Sequence, residues 1–257
     1  MFLCLFIIVP LASAEGWRAA RSLEGKAETG GRVMVRTVAM TPENMVLDYA
    51  LPVLKAVPAA NDEDHASGAV RPVMGNAPHR STPGLPVLPV VPASLVLPAG
   101  YDLDDIYATP GATVTLPGSY LVEHGQTPFP LIPGIRPPKT EKNRAVYESD
   151  APFPGRLFDV AGVYKKRGVS ILMINLHPVV YRPGSGSLAW YKTLTLTVKT
   201  KPAVQTRGNK LPYRPSAPGT LEKTVENPEM LDTYTDQKKR PFLKQAASIP
   251  GPMPAMC

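Results

Sequence analysis

Apolar and polar residues alternate along several short stretches of this chain, the pattern of half-buried β-strands. Arg32–Met40 (RVMVRTVAM) and Asn44–Leu54 (NMVLDYALPVL) are β-rich runs broken by Thr-Pro-Glu, which predicts two short strands joined by a turn. In ATVTL, Val114 and Leu116 alternate with Thr113 and Thr115, a further short strand. The clearest signal lies between Phe158 and Thr200. The run VSILMINLHPVVY (Val169–Tyr181) is apolar at both alternating sets, Ile171/Met173 and Leu172/Ile174/Leu176, as a central strand covered on both faces requires. After Arg182–Ser187 comes LAWYKTLTLTVKT, where Leu194, Leu196 and Val198 alternate with Thr193, Thr195 and Thr197. The expectation is that this run pairs with the preceding one in a long antiparallel hairpin, one face apolar and one lined by threonine. The predicted fold class is all-β, an antiparallel, jelly-roll-like β-sandwich.

Proline shapes the remainder. With 31 Pro and 20 Gly among 257 residues, a long helix is excluded almost everywhere. Prolines 83, 86, 89, 92 and 98 punctuate a Val/Leu-rich stretch that should run as an extended, irregular segment and settle into a strand only at Ala93–Leu97. Three carboxylates in Asn61–Asp64, with His65 beside them, lack a second ligand cluster and read as a flexible acidic loop rather than a metal site. Asp102, Asp104 and Asp105 lack the glycine and distal glutamate of a calcium loop, so they read as solubilising residues at a strand end. A hydrophobic share of 44% with 19% charged residues belongs neither to a disordered chain nor to a multi-span membrane protein. No cofactor or metal site is expected.

Charge is uneven: residues 1–130 carry a net −4 and residues 131–257 a net +11. The basic residues are not interleaved with aromatics in any nucleic-acid-reading motif, so no nucleic-acid partner is expected. At the other end, the apolar run Phe2–Leu11 precedes Ala12-Ser13-Ala14, the small-x-small pattern of signal-peptidase cleavage after Ala14. Ten apolar residues are too few to span a bilayer. Residues 1–14 therefore read as a signal peptide and the product as secreted, periplasmic or on the cell surface. No Lys or Arg precedes the apolar run, so the expectation is that Met1 lies inside a longer signal. Cleavage removes Cys4 and leaves Cys257 without a partner, so no internal disulfide is expected. The ending FLKQAASIPGPMPAMC suits a truncated or frameshifted chain, and residues 236–257 read as a basic, proline-rich, disordered tail.

Several of these turns and strands follow one another in a family-like order. Gly84, Pro86, Leu88 and Pro89 are followed by Phe153-Pro154-Gly155, then Arg167-Gly168 leading into the apolar run, then Pro178, Tyr181, Pro183, Leu188 and Tyr191. This set, spanning about residues 30–235, resembles the N-terminal propeptide domain of gingipain-type cysteine peptidases. The matched residues are structural: Gly155 and Gly168 suit turns that need a positive φ, Pro178 and Pro183 stop pairing at the hairpin ends, and Tyr181 and Tyr191 suit cross-strand contact. The resemblance implies a domain over 15–235 whose partner is a cognate gingipain-like catalytic domain. It also implies a loop presenting a basic side chain to that peptidase's specificity pocket. Within LIPGIRPPKTEKNRAVYE the first choice is Arg136, followed by Pro137-Pro138, with Lys142 and Arg144 next. Removal of the propeptide is expected at Lys238, Lys239 and Arg240.

A catalytic role has little support in the residues. His124-Gly125 sits in YLVEHGQTPFP with no cysteine after it except Cys257, and reads as a turn histidine. His177 reads as a satisfied core residue, and Ser185 and Ser187 lack the setting of a nucleophile. The leading expectation is a secreted propeptide that assists folding and enforces latency, without catalytic residues of its own. The alternative is a secreted β-sandwich adhesion or carbohydrate-binding module.

Overall fold

The computed structural model describes residues 16–21, 31–130, 138–203 and 221–239. Its largest sheet is antiparallel and holds five strands in the order β1 (Arg18–Ala19), β2 (Met34–Met40), β3 (Asn44–Ala50), β15 (Thr193–Pro202) and β9 (Tyr101–Pro110). A second sheet orders β11 (Phe158–Lys166), β12 (Val169–Leu176) and β8 (Val91–Val96), and a third orders β10 (Thr113–Thr115), β14 (Ser187–Tyr191) and β13 (Val179–Arg182). Two small pairs, β4 (Leu54–Pro58) with β5 (Val70–Met74) and β6 (His79–Arg80) with β7 (Leu88–Pro89), complete the strands. The helices are short: α1 (Asp62–Ala66), α2 (Arg144–Tyr147), and a 3-10 turn at Pro228–Leu231 that runs into α3 (Asp232–Lys239).

The alternation seen in the sequence does its expected work in β3 and β15. Met45, Leu47 and Tyr49 point inward opposite Val198, Leu196 and Leu194, and all six are buried. They share one core with Leu95 of β8 and Leu172, Ile174 and Leu176 of β12, so two antiparallel sheets close on a common apolar layer. The fold is an all-β sandwich.

Two strand expectations need correction. The run after Ser187 does not pair with Val169–Leu176. β14 makes a short hairpin with β13, and β15 then crosses to the first sheet, where it lies between β3 and β9. Alternation specifies which face of a strand is buried and carries no information about which strand lies beside it. Pro178 and Pro183 confine the local hairpin to a few residues, and the inward row of β3 offers β15 a longer match. β12 is central, between β11 and β8, yet only one of its faces is fully covered: Leu172, Ile174 and Leu176 are buried whereas Met173 is 40% exposed. Asp102 sits at the start of β9 while Asp104 and Asp105 lie further along it, and all three are exposed. Gly155 and Gly168 do adopt the left-handed backbone their turns require, with φ of 73° and 85°.

Pro92 is accommodated because β8 is the last strand of its sheet. Its outer edge is covered by the segment 221–235. The Glu226 N–H donates to the Ser94 carbonyl (2.9 Å), and the buried Asn227 amide accepts from the Val96 N–H (2.7 Å) and donates to the Val96 carbonyl (2.9 Å). Tyr234 continues the seam, its hydroxyl donating to the Leu97 carbonyl (2.8 Å) and accepting from the Ser170 N–H (3.1 Å). The first strand joins the same seam: the Arg18 guanidinium donates to the Glu226 carbonyl, and the Arg21 N–H to the Glu226 carboxylate at 3.1 Å.

Candidate functional site

The loop singled out in the sequence leaves the body after His124 and returns before Asn143, and its two legs are built into the sandwich from below. The outgoing leg, 121–125, runs beside β5 and the 83–87 segment: the Val70 N–H donates to the Leu121 carbonyl (2.8 Å), the Glu123 N–H to the Val70 carbonyl (3.0 Å), and the Gly125 N–H to the Leu85 carbonyl (2.9 Å). Two tyrosines grip this leg. Tyr181, buried on β13, accepts from the Val122 N–H (3.3 Å) and donates to the Tyr120 carbonyl (3.0 Å), and Tyr147 of α2 donates to the Val122 carbonyl (2.9 Å). Burial raises the phenol pKa of both.

Gly84 holds the legs together. Its N–H donates to the Gly125 carbonyl (2.9 Å) and its carbonyl accepts from the Asn143 N–H (2.9 Å). Its φ is +76°, and a Cβ there would stand 2.8 Å from the Glu141 carbonyl oxygen, so glycine is required on two counts. At the neck, the Thr140 hydroxyl accepts from the Thr127 N–H (2.8 Å) and donates to the Thr127 hydroxyl (2.8 Å).

Beneath the neck lies a buried charged cluster. The Asp64 carboxylate, 1% exposed, accepts from the His124 N–H (2.9 Å) and from the Asn61 amide (2.9 Å). It also lies 2.7 Å from His124 Nδ1 and 3.0 Å from Lys142 Nζ. His124, 3% exposed, places Nε2 2.7 Å from the Thr140 carbonyl, so the ring reaches the returning leg while its backbone N–H holds the carboxylate. Desolvation pushes the Asp64 carboxyl up, but the hydrogen bonds from Asn61, the His124 N–H and Lys142, with the charge of His124, hold it below its ordinary value. Its neighbour Glu123 is fully buried, accepts from the Ala60 N–H (2.8 Å) and is paired with Arg71.

These observations correct two expectations. The acidic stretch 61–64 is not a flexible loop: Asn61 caps α1 by accepting from the Asp64 N–H (2.8 Å), and the cap turns Asp64 into the interior. His124, read as a turn histidine, is instead buried in the neck and forms a β-bridge with Pro86. Of the candidate inhibitory residues, Arg136 lies outside the described residues. Lys142 is committed to Asp64 and stacks 5.7 Å from the Tyr147 ring, and Arg144 is exposed on α2. Of the processing candidates, Ala14 and Arg240 lie outside the described residues, while Lys238 and Lys239 belong to α3, which continues past the expected domain end at 235. Sequence reasoning assigned Asp64 to a flexible acidic loop and passed over Thr127 and Thr140; the local signal for Asp64 was the cap pattern of Asn61 followed by acidic residues.

A second cleft, of about 150 Å³, is lined by apolar residues that include Leu85, Pro86 and Phe153, and by His177. His177 is bonded to Asp159 (3.0 Å) and buried, as the sequence suggested for a satisfied core histidine. Arg80 and Arg156 also pair with Asp159, and no serine or cysteine lines the cleft. Among the described residues no group of three or more His, Cys, Asp or Glu side chains is placed to hold a metal ion, and no helix is long and apolar enough to cross a membrane.

No family model and no curated protein matches the sequence. Solved structures do match the fold. In the complex of Porphyromonas gingivalis RgpB pro- and mature domains, one chain is similar at 17% identity with a TM-score of 0.55, over 76% of this chain and 96% of that one. A structure describing the zymogenic latency of gingipain K from the same organism is similar at 16% identity with a TM-score of 0.53, over 73% of this chain and 99% of that one. The chain therefore has the fold of a gingipain pro-domain.

Proposed function

We propose that this chain is a secreted propeptide of a gingipain-like cysteine endopeptidase, which assists folding of the catalytic domain and holds it latent until cleavage. As the RgpB pro- and mature domains form a complex, this chain would dock on its own peptidase partner. The observation that carries the reading is the neck: a loop clipped at Thr127 and Thr140, with Arg136 between the two clips, matches an inhibitor that presents one basic side chain and keeps its backbone from relaxing into a cleavable form. Lys142 is a poorer choice because its ammonium already serves Asp64, and Arg144 follows the neck. Pro137 after Arg136 lacks the amide hydrogen and constrains the residue before it, which suits slow hydrolysis. Export would follow cleavage after Ala14, and release would follow cleavage at the basic residues Lys238–Arg240. The adhesion or carbohydrate-binding alternative gains no support from the surface, since the exposed aromatics Tyr107, Phe129 and Tyr164 sit on separate elements.

The test adds residues 15–240 to a gingipain catalytic domain and compares wild type with Arg136→Ala. A loss of inhibition of tenfold or more, about 1.4 kcal/mol, is expected. Equal inhibition by both removes Arg136, and no inhibition by either removes the inhibitory role.

A further inference from the structure

Asp64 is buried and lies 60 residues before His124, yet its carboxylate meets both legs of the loop through His124 and Lys142. We infer that Asp64 is the positioning residue of the inhibitory loop: a latch beneath the neck that keeps the loop an inhibitor rather than a substrate. This rests on the function proposed above.

The geometry assigns each partner a task. One carboxylate oxygen takes the outgoing leg through the His124 N–H (2.9 Å). The other takes the returning leg through Lys142 (3.0 Å). His124 then reaches across to the Thr140 carbonyl (2.7 Å), and the Thr140 hydroxyl closes the ring on Thr127 (2.8 Å). Both legs are thus tied to one side chain that is itself fixed by the Asn61 cap of α1. A peptidase cleaves a bound segment only when the backbone can move through the tetrahedral geometry and the leaving strand can depart. With both legs tied, the two legs of a severed loop stay held on one side chain. Without Asp64 the Lys142 ammonium and the His124 N–H lose their shared acceptor, and the legs are left to separate.

The experiment uses the whole chain as wild type, Asp64→Asn and Thr140→Val. The asparagine keeps the shape of Asp64, and the valine removes the neck hydroxyl without touching the charges, so it carries the test if the first variant fails to fold. Each protein is digested with trypsin while cuts after Lys139 and Lys142 are followed by mass against cuts after Arg167, and each is incubated with a gingipain catalytic domain while residual activity is followed over hours. Cuts after Lys139 and Lys142 are expected to accelerate at least tenfold, with the Arg167 cut unchanged. Initial inhibition should stay within threefold of wild type and then decay as the loop is consumed, a time course that a merely structural defect would not produce. The latch is overturned if loop cuts are no faster in folded variants, if all cuts accelerate equally, or if inhibition by the variants persists as long as that by wild type. Protection of the wild-type loop from trypsin, lost in the variants, with no inhibition by any protein supports the latch and removes the inhibitor reading.

Discussion

Two kinds of residue set the behaviour of the site at the scale of single side chains. Gly84 is one: alanine there would meet both a left-handed backbone and the Glu141 carbonyl at 2.8 Å, and Gly84→Ala is expected to cost about 2 kcal/mol, seen as a lowered urea midpoint. The titratable groups are the other. Burial lowers the pKa of His177, and that of His79, whose ring bonds the Pro72 carbonyl. Asp64 is held low as described, and so is Asp159, where desolvation is outweighed by the hydrogen bonds of His177 and Arg80 and by the charges of His177 and Arg156. Every one of these groups binds its proton less readily folded than unfolded, so its contribution is complete above the unfolded pKa and drains as pH falls through the folded one. The urea midpoint should therefore be level above about pH 7, decline first below about 6.5 as the histidines charge, and decline again below about 4 as the carboxylates protonate. Substituting His79 and His177 by Gln should erase the first decline and, because His177 helps hold Asp159 low, shrink the second.

Among the elements, the covered edge of β8 is the most exposed to test. Asn227→Ala would leave the Val96 N–H and carbonyl buried without partners, at a cost of about 2–3 kcal/mol, measurable by thermal unfolding and by faster amide exchange at Val96. Removing 221–239 altogether should uncover the edge and produce concentration-dependent association, read by light scattering. Much of this level was visible in the sequence. The alternating rows of β3 and β15, the turn glycines 155 and 168, and the gap-free apolar run of β12 all follow from local sterics and burial. What stayed hidden depends on partners far along the chain: β15 pairs with β3 across some 150 residues, and Asp64 meets His124 across 60. An acidic triplet is ordinarily solvated, and only the distant legs that arrive on top of it turn one of its members inward. The basic loop was legible as chemistry, whereas its neck, made of two threonines with no pattern of their own, was not.

At the scale of the whole molecule, release should follow the chemistry of the basic run. Arg240 is followed by Pro241, so a trypsin-like pocket finds no amide hydrogen there and should cut after Lys238 or Lys239 instead. Both lie in α3, so cleavage requires the last turn to fray, and intact-mass analysis of a brief digest should show products ending at 238 or 239 and none at 240. The bond from Arg18 to Glu226 joins residues 208 apart, which makes it one of the most non-local contacts in the chain and one of the last to close. During synthesis, the body of the sandwich is available well before residue 226 arrives. The seam then acts as a proof of completeness: a chain halted early retains an open β8 edge and a loose first strand, features by which a protease or holdase distinguishes an unfinished protein from a finished one.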